Sequence, residues 1–438
     1  MSRLLNFLNF PNICIEKCTS DELQKRAHNN ELFPTGSYAV AWEDNNNIYL
    51  ARDPLGINKL FYGFNDNGEI VVANRIRKLA EHGIHLDKVA SCSAGSLVKI
   101  NNENKIEMTE MPVSDRPISE NFNLEAFQQT VKGKLKSYFN HIAERWPDAT
   151  FVVCLSGGLD SSIIAHMAKK MLPNVYAASF SFADDKAILN SYNIDFLKTN
   201  NNLSEDFYAA LKIAETLNLP LIPVLRNKSS LSSAIALAIN LCQDWRDFNV
   251  HCAVVNLFLA QDIRATFPDS EVIILTGDLM NEYVCDYHEE EVNGTIYYPQ
   301  PKINIVKRRR FFVRGLDAGD REVGVFNAFG LPVCQPYSVV STDYISVPGN
   351  YLEQTDSKML LNNHLLPDNL LDKIGKAKVR AQVGGKDGGV LGAFHTMGLN
   401  EKNLFAIWKS GFAVETMPDD PSDIIQFGRY RTMPKGES

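Results

Sequence analysis

The chain has 438 residues, 45% of them hydrophobic and 22% charged, a composition that fits two globular domains with ample core. A formal net charge of −8 argues against a nucleic-acid binder, because such proteins draw most of their affinity from neutralising phosphates. No apolar run approaches a membrane span, the first residues lack a signal peptide's cleavage site, and the eight cysteines include no CxxC pair; together these read as a soluble, cytoplasmic, disulfide-free protein.

Residues 1–115 read as β-rich. Strands are predicted over Gly36–Asp44, Ile48–Arg52 and Lys59–Gly63, separated by an Asn-rich turn and the Asp53-Pro54-Leu55-Gly56 turn. Asp115–Asn123, polar and with a proline, reads as a linker into a second domain over 124–438, which begins with a helix over Leu124–Ile142.

Phe151–Leu155 is then an apolar, β-branched run typical of a buried parallel strand, and Ser161–Lys170 has helical spacing. Between them lies Ser156-Gly157-Gly158-Leu159-Asp160-Ser161-Ser162. The two glycines let backbone approach a ligand, the helix start aims unpaired N–H groups at it, and Ser156, Ser161 and Ser162 add hydroxyl donors: a phosphate cradle. It is not a Walker A loop, which needs a lysine. Asp160 stands there instead, and a carboxylate beside phosphates implies a bridging Mg²⁺.

Strands at Val175–Phe182 and Leu219–Val224 alternate with helices at Phe207–Leu217, capped by Ser204-Glu205-Asp206, and at Ser229–Leu241. This order predicts an α/β, doubly wound parallel sheet with ligands beyond the carboxyl ends of its strands. Ala183–Leu203 reads as a mobile insertion. Asp247, before the next helix, serves either as a cap or in the site. Glu271–Leu275 is a fourth buried strand, leading into Thr276-Gly277-Asp278-Leu279-Met280-Asn281-Glu282. The basic run Lys307–Arg310 reads as a solvated helix face.

The Ser156–Ser162 run resembles the SGGxDSS pyrophosphate loop of the ATP pyrophosphatases that include asparagine synthetase, and the second junction resembles SGxGxDE or TGxGxD of asparagine, β-lactam and carbapenam synthetases. The resemblance implies ATP and Mg²⁺ as cofactors, with nucleotide contacts from Ser156, Gly157, Gly158, Asp160, Ser161, Ser162, Gly277 and, on the adenine strand, Phe180. Asp160 and Asn281 fall on the metal positions, where Asn281 replaces the family's aspartate with a weaker, neutral ligand that Glu282 would supplement. Asp278 falls where the family places an acid–base residue, and becomes a general base if burial raises its pKa. One of Asp317, Asp320 and Glu322 would complete a dyad, and Lys358–Leu361 echoes the family's KxxLR helix. Leu366–Gly389 resembles LPxxxxxRxKxGxHEGSG, which places the family's catalytic lysine at Lys376, with Lys378 as the alternative, beside a glycine-rich loop that closes over ATP. The tail over Ala393–Tyr430 resembles the helical tail of the β-lactam-forming enzymes.

Upstream, GSYAVAWED, IYLARDPLGINKLFYG and EIVVANRIRKLAEHGI resemble the N-terminal-nucleophile glutaminase domain of asparagine synthetase. That family's catalytic cysteine is replaced by Ser2 and the glutamine-binding loops lack room before Gly36, which implies a truncated, inactive domain. The resemblance therefore implies an AMP-forming amide ligase of specialised metabolism that adenylates a small-molecule carboxylate and couples it to an amine, within one molecule or between two. An ammonia-using amidotransferase and a catalytically silent nucleotide binder are the alternatives. Neither nucleic acid nor membrane is among the expected partners, and a homodimer is left open.

Overall fold

The computed structural model describes residues 3–13, 20–29, 31–32, 35–44, 47–200, 202–316, 319–374 and 388–411. Residues up to Glu110 form two four-stranded sheets. One orders Leu4–Phe7, Ile70–Ala73, Phe61–Phe64 and Ala90–Ser91; the other orders Ala39–Asp44, Asn47–Arg52, Ser96–Ile100 and Ile106–Glu110. Neighbours run antiparallel except Leu4–Phe7, which pairs parallel to Ile70–Ala73. The alternation of each strand puts Ala41, Leu50 and Val98 against Tyr62, Ile70 and Val72, so the two sheets share a dry interior.

The Arg52-Asp53 turn that links these sheets is held by buried charge. Asp53 accepts from the backbone N–H groups of Leu55, Ile57 and Asn58 at 3.0–3.1 Å. The guanidinium of Arg52 donates to the carbonyls of Gly56, Asn58 and Cys92 at 2.6–2.7 Å. With both ions satisfied the turn is rigid, and it presents Ile57 and Lys59 to the following domain.

No gap in packing separates the two parts. Phe61, Val71, Ala73 and Ile76 join the same buried cluster as the second sheet's Phe151–Val153 and Ile273–Leu275. The linking helix, Leu124–Arg145, starts at Asn123, whose side chain accepts from Ala126 N, and buries Phe127, Val131, Leu135, Tyr138 and Ile142 at helical spacing.

The second sheet is parallel throughout, in the spatial order Leu221–Arg226, Val175–Phe182, Thr150–Cys154, Val272–Leu275, Val333–Cys334. The first strand of the sheet thus lies at its centre, with later strands added first on one side and then on the other. A crevice opens where that order reverses, between the carboxyl ends of Thr150–Cys154 and Val272–Leu275. Helices Leu159–Met171, Glu205–Leu217 and Asp247–Thr266 pack against the sheet.

Within the insertion Ala183–Leu203 lie two short helices, Asp185–Leu189 and Ile194–Thr199, each started by an Asp or Asn side-chain cap. Ala187 and Leu197 bury against Phe207 and Leu225 in a small cluster, which a polar Asn-rich composition conceals. In the basic run, Arg309 is buried and donates to the carbonyls of Tyr344 and Val347 at 2.9 and 2.8 Å, so this segment is not a uniformly solvated face. Among the described residues no helix is long and apolar enough to cross a membrane, and the six described cysteines form no disulfide.

Candidate active site

The two strand-to-turn junctions meet at the crevice. Gly157 has φ +73°, and a Cβ there would collide with Ala209 and with the N–H of Ala210, so both conformation and space demand glycine. Gly277 lies so close that a Cβ would stand 2.8 Å from Ser161 N. The second junction is therefore built directly onto the first helix turn after the loop. Ser162 donates to Gly158 O at 2.7 Å, Ser161 Oγ lies 3.1 Å from Ser156 Oγ, and the Tyr337 hydroxyl donates to Asp160 O at 3.1 Å. These bonds fix the loop without using Asp160's carboxylate.

That carboxylate is buried, and its Oδ1 has no hydrogen-bond partner. Its Oδ2 stands 2.5 Å from Lys358 Nζ, which also donates to Asn281 Oδ1 at 2.7 Å and to Asp286 Oδ2 at 3.1 Å. Burial alone would lower the Lys358 pKa, but Asp160 and Asp286 outweigh it and leave the ammonium pKa raised. Asn281, expected as a metal ligand, thus points its oxygen at a lysine. Among the described residues no three His, Cys, Asp or Glu side chains form a metal cage. The open Oδ1 of Asp160 still suits a Mg²⁺ that completes its shell with phosphate oxygens, the usual arrangement for this ion.

Ser156–Ser161, Phe180, Gly277, Asn281 and Lys358 line a cavity of about 560 Å³. Phe180 packs face to face with Phe258, ring centroids 5.8 Å apart, and so makes an apolar floor. A second cavity of about 440 Å³ adjoins it, and Phe248, Asp278, Glu282, Tyr287, Arg321 and Glu322 line both.

The shared wall is densely charged. Tyr287 donates to Glu282 Oε1 at 2.5 Å; Arg321 reaches the same oxygen at 3.4 Å and Glu322 at 2.5 Å, with its guanidinium 4.4 Å above the Phe248 ring. Burial first, then the Glu322 carboxylate, push the Asp278 pKa up to about 7, although Arg321 opposes them. A carboxyl tuned to neutrality is suited to exchange protons at physiological pH. Asp278 leads into Leu279, a buried residue at φ +85°, so the turn that aims this carboxyl is held in a strained conformation.

The structure therefore gathers Ser156, Gly157, Gly158, Asp160, Ser161, Phe180, Gly277, Asp278, Asn281 and Glu282 around one crevice, with Ser162 buried behind the loop. Lys376 and its alternative Lys378 lie outside the described residues, as do Asp317 and most of the glycine-rich loop. Tyr287, Asp286 and Arg321 have no sequence signal, and Lys358 has none beyond its place in the KxxLR echo. Its spacing from Asp160 gives no signal, because only the fold brings residues nearly two hundred positions apart into contact.

Residues 143–304 match the asparagine synthase family model. That segment contains both junctions, and the match supports, at family level, an ATP-using ligase that forms carbon–nitrogen bonds. No curated protein matches the chain. Among solved structures, an NMN synthetase from Francisella tularensis is 16% identical with a TM-score of 0.30, covering 71% of this chain and 95% of its own. An NH3-dependent NAD synthetase from Campylobacter jejuni is 15% identical with a TM-score of 0.29, covering 66% and 97%. At such identities and TM-scores these two likenesses carry no functional argument.

Proposed function

We propose that the chain is an ATP-dependent, AMP-forming amide ligase. The observation that supports this best is the adjacency of two cavities, one ending at a glycine-shaped phosphate loop and the other at a carboxyl with a pKa near 7. The triphosphate lies along Ser156–Ser162, and Lys358 offers a cation to its departing end. A substrate carboxylate oxygen attacks the α-phosphorus, the α–β P–O bond breaks, and pyrophosphate leaves. A neutral amine then adds to the acyl carbon, a proton passes to Asp278, and the C–O bond to AMP breaks. Asp160, through its open Oδ1, would hold a Mg²⁺, which when bound would neutralise phosphate charge. Lys376 is assigned stabilisation of the α-phosphate on its motif alone. The upstream sandwich serves as a wall, its Ile57 and Lys59 closing the second cavity, and not as a source of ammonia.

The test is ATP–pyrophosphate exchange across panels of carboxylates, followed by product analysis with added amines. The expected products are AMP and pyrophosphate in equal amounts, with both lost in Asp160→Ala. ADP formation, or exchange that persists in Asp160→Ala, excludes this reading.

A further inference from the structure

Arg321 and Glu322 line both cavities, yet neither sits within a long element: they follow the helix Ile305–Gly315 and come just before the short helix Val323–Asn327. Charged side chains on such a connection keep one geometry only if its backbone is anchored from outside.

The inner anchors come from the second domain itself. Asn256 donates to Arg321 O at 2.8 Å, Asp320 N donates to Cys242 O at 2.8 Å, and Asp320 Oδ1 accepts from Gly324 N at 2.7 Å. Gly319, at φ +70°, lies so close to the helix Asp247–Thr266 that a Cβ would stand 2.6 Å from Asn249 Nδ2.

The outer anchors come from the upstream sandwich. Lys59 donates to Leu316 O at 2.9 Å, and the Arg75 guanidinium donates to Gly324 O and, at 3.0 Å, to Leu241 O. Between those two ends the buried Asp320 carboxylate faces Lys59, Arg75 and Arg52, all three from the sandwich. Gln243 fastens the neighbouring backbone: it accepts from Ile76 N at 2.6 Å and donates to Asn74 O at 3.1 Å, next to the Cys242 carbonyl that holds Asp320. Apolar contact could join two domains without fixing a loop. Here cations reach the carbonyls at both ends of one stretch, and charge-assisted hydrogen bonds are directional as well as strong.

We propose that Arg75 and Lys59 are positioning residues, through which the sandwich clamps the stretch from Leu316 to Gly324 and holds Arg321 and Glu322 at the wall between the two cavities. The stretch's task in amide formation rests on the ligase reading; the clamp itself does not. The sandwich then has a use that needs no glutaminase chemistry.

The experiment compares the full-length wild type with Arg75→Met, Lys59→Met and Arg75→Lys by hydrogen–deuterium exchange, and by pyrophosphate exchange and amide formation. In both Met variants, peptides spanning 319–328 should exchange about tenfold faster or more while those of the phosphate loop stay as in the wild type, and Arg75→Lys should recover part of the protection. Arg75→Met should keep pyrophosphate exchange within about twofold and lower amide formation about tenfold or more, as expected of a displaced wall. Unchanged protection of 319–328 in both Met variants, or faster exchange spread over the whole chain in both, overturns the clamp. Equal loss of pyrophosphate exchange and amide formation overturns the assigned task. A wild type that adenylates no carboxylate sinks the ligase reading, and hydrogen exchange then judges the clamp alone.

Discussion

The two junctions of the crevice are built from similar short sequences but solve opposite problems. At Ser156–Ser162 the proposed binding surface is backbone: two glycines, a helix start, hydroxyls tied to one another, and one carboxylate oxygen left open. At Thr276–Glu282 the backbone only delivers side chains, and their properties are set by partners from elsewhere: Tyr287, Arg321, Glu322 and Lys358. A site made of backbone is determined locally. One made of coupled charges is determined by the fold, and it is the second kind whose chemistry is tunable.

The largest effect that separates the junctions concerns Asp278. With a pKa near 7 it must lose its proton before it can accept one from the amine, so amide formation should rise about tenfold per pH unit up to pH 7 and level off above. Asp278→Asn should lower the rate about 10²- to 10⁴-fold and abolish that acid limb, while pyrophosphate exchange, which belongs to the first junction, keeps most of its rate. If exchange falls as far as amide formation, the two junctions do not divide the work.

Lys358 joins them, and its replacement should cost less. Lys358→Met leaves Asp160 and Asp286 without their shared cation, which should slow exchange about 10²-fold and lower stability by about 3 kcal/mol. Adding Asp286→Asn should recover much of the stability but none of the rate. Recovery of both would make Lys358 a structural ion only.

Much of the fold is legible in the sequence, and the reason is local. Val175–Phe182 was bounded correctly because an uninterrupted apolar run between turn residues permits little else, and Ser204 caps its helix as its hydroxyl chemistry requires. The glycine turn between Thr150–Cys154 and Leu159–Met171 is legible because apolar strand, glycines and helix start lie within a few residues of one another. What stayed hidden had no local signal: two capped helices within an Asn-rich stretch, a buried Arg309, and a lysine that meets Asp160 only after the sheet forms. The segment around the Arg52-Asp53 turn resembles a glutaminase segment, but nothing local in it signals that Ile57 and Lys59 line the 440 Å³ cavity.

A smaller effect tests the coupling across the shared wall. Glu322 is the leading charge that raises the Asp278 pKa, and it also draws on Arg321, which lowers it. Glu322→Gln removes the first and frees the second, so both changes move the acid limb of amide formation to lower pH. The ratio of rates at pH 6 and pH 8 should rise, by less than tenfold. A limb that stays in place would mean burial alone sets Asp278.

The smallest effect reaches the charge stored in the second cavity. Burial, then the facing Glu401 carboxylate, raise the Asp247 pKa to about 6, so the folded chain favours the neutral acid more than the unfolded chain does. The resulting penalty is absent below the unfolded value near 4, grows as pH rises, and is complete above 6. Asp247→Asn should therefore leave Tm unchanged at pH 4 and raise it at pH 8, where the gain in stability is on the order of 1–3 kcal/mol.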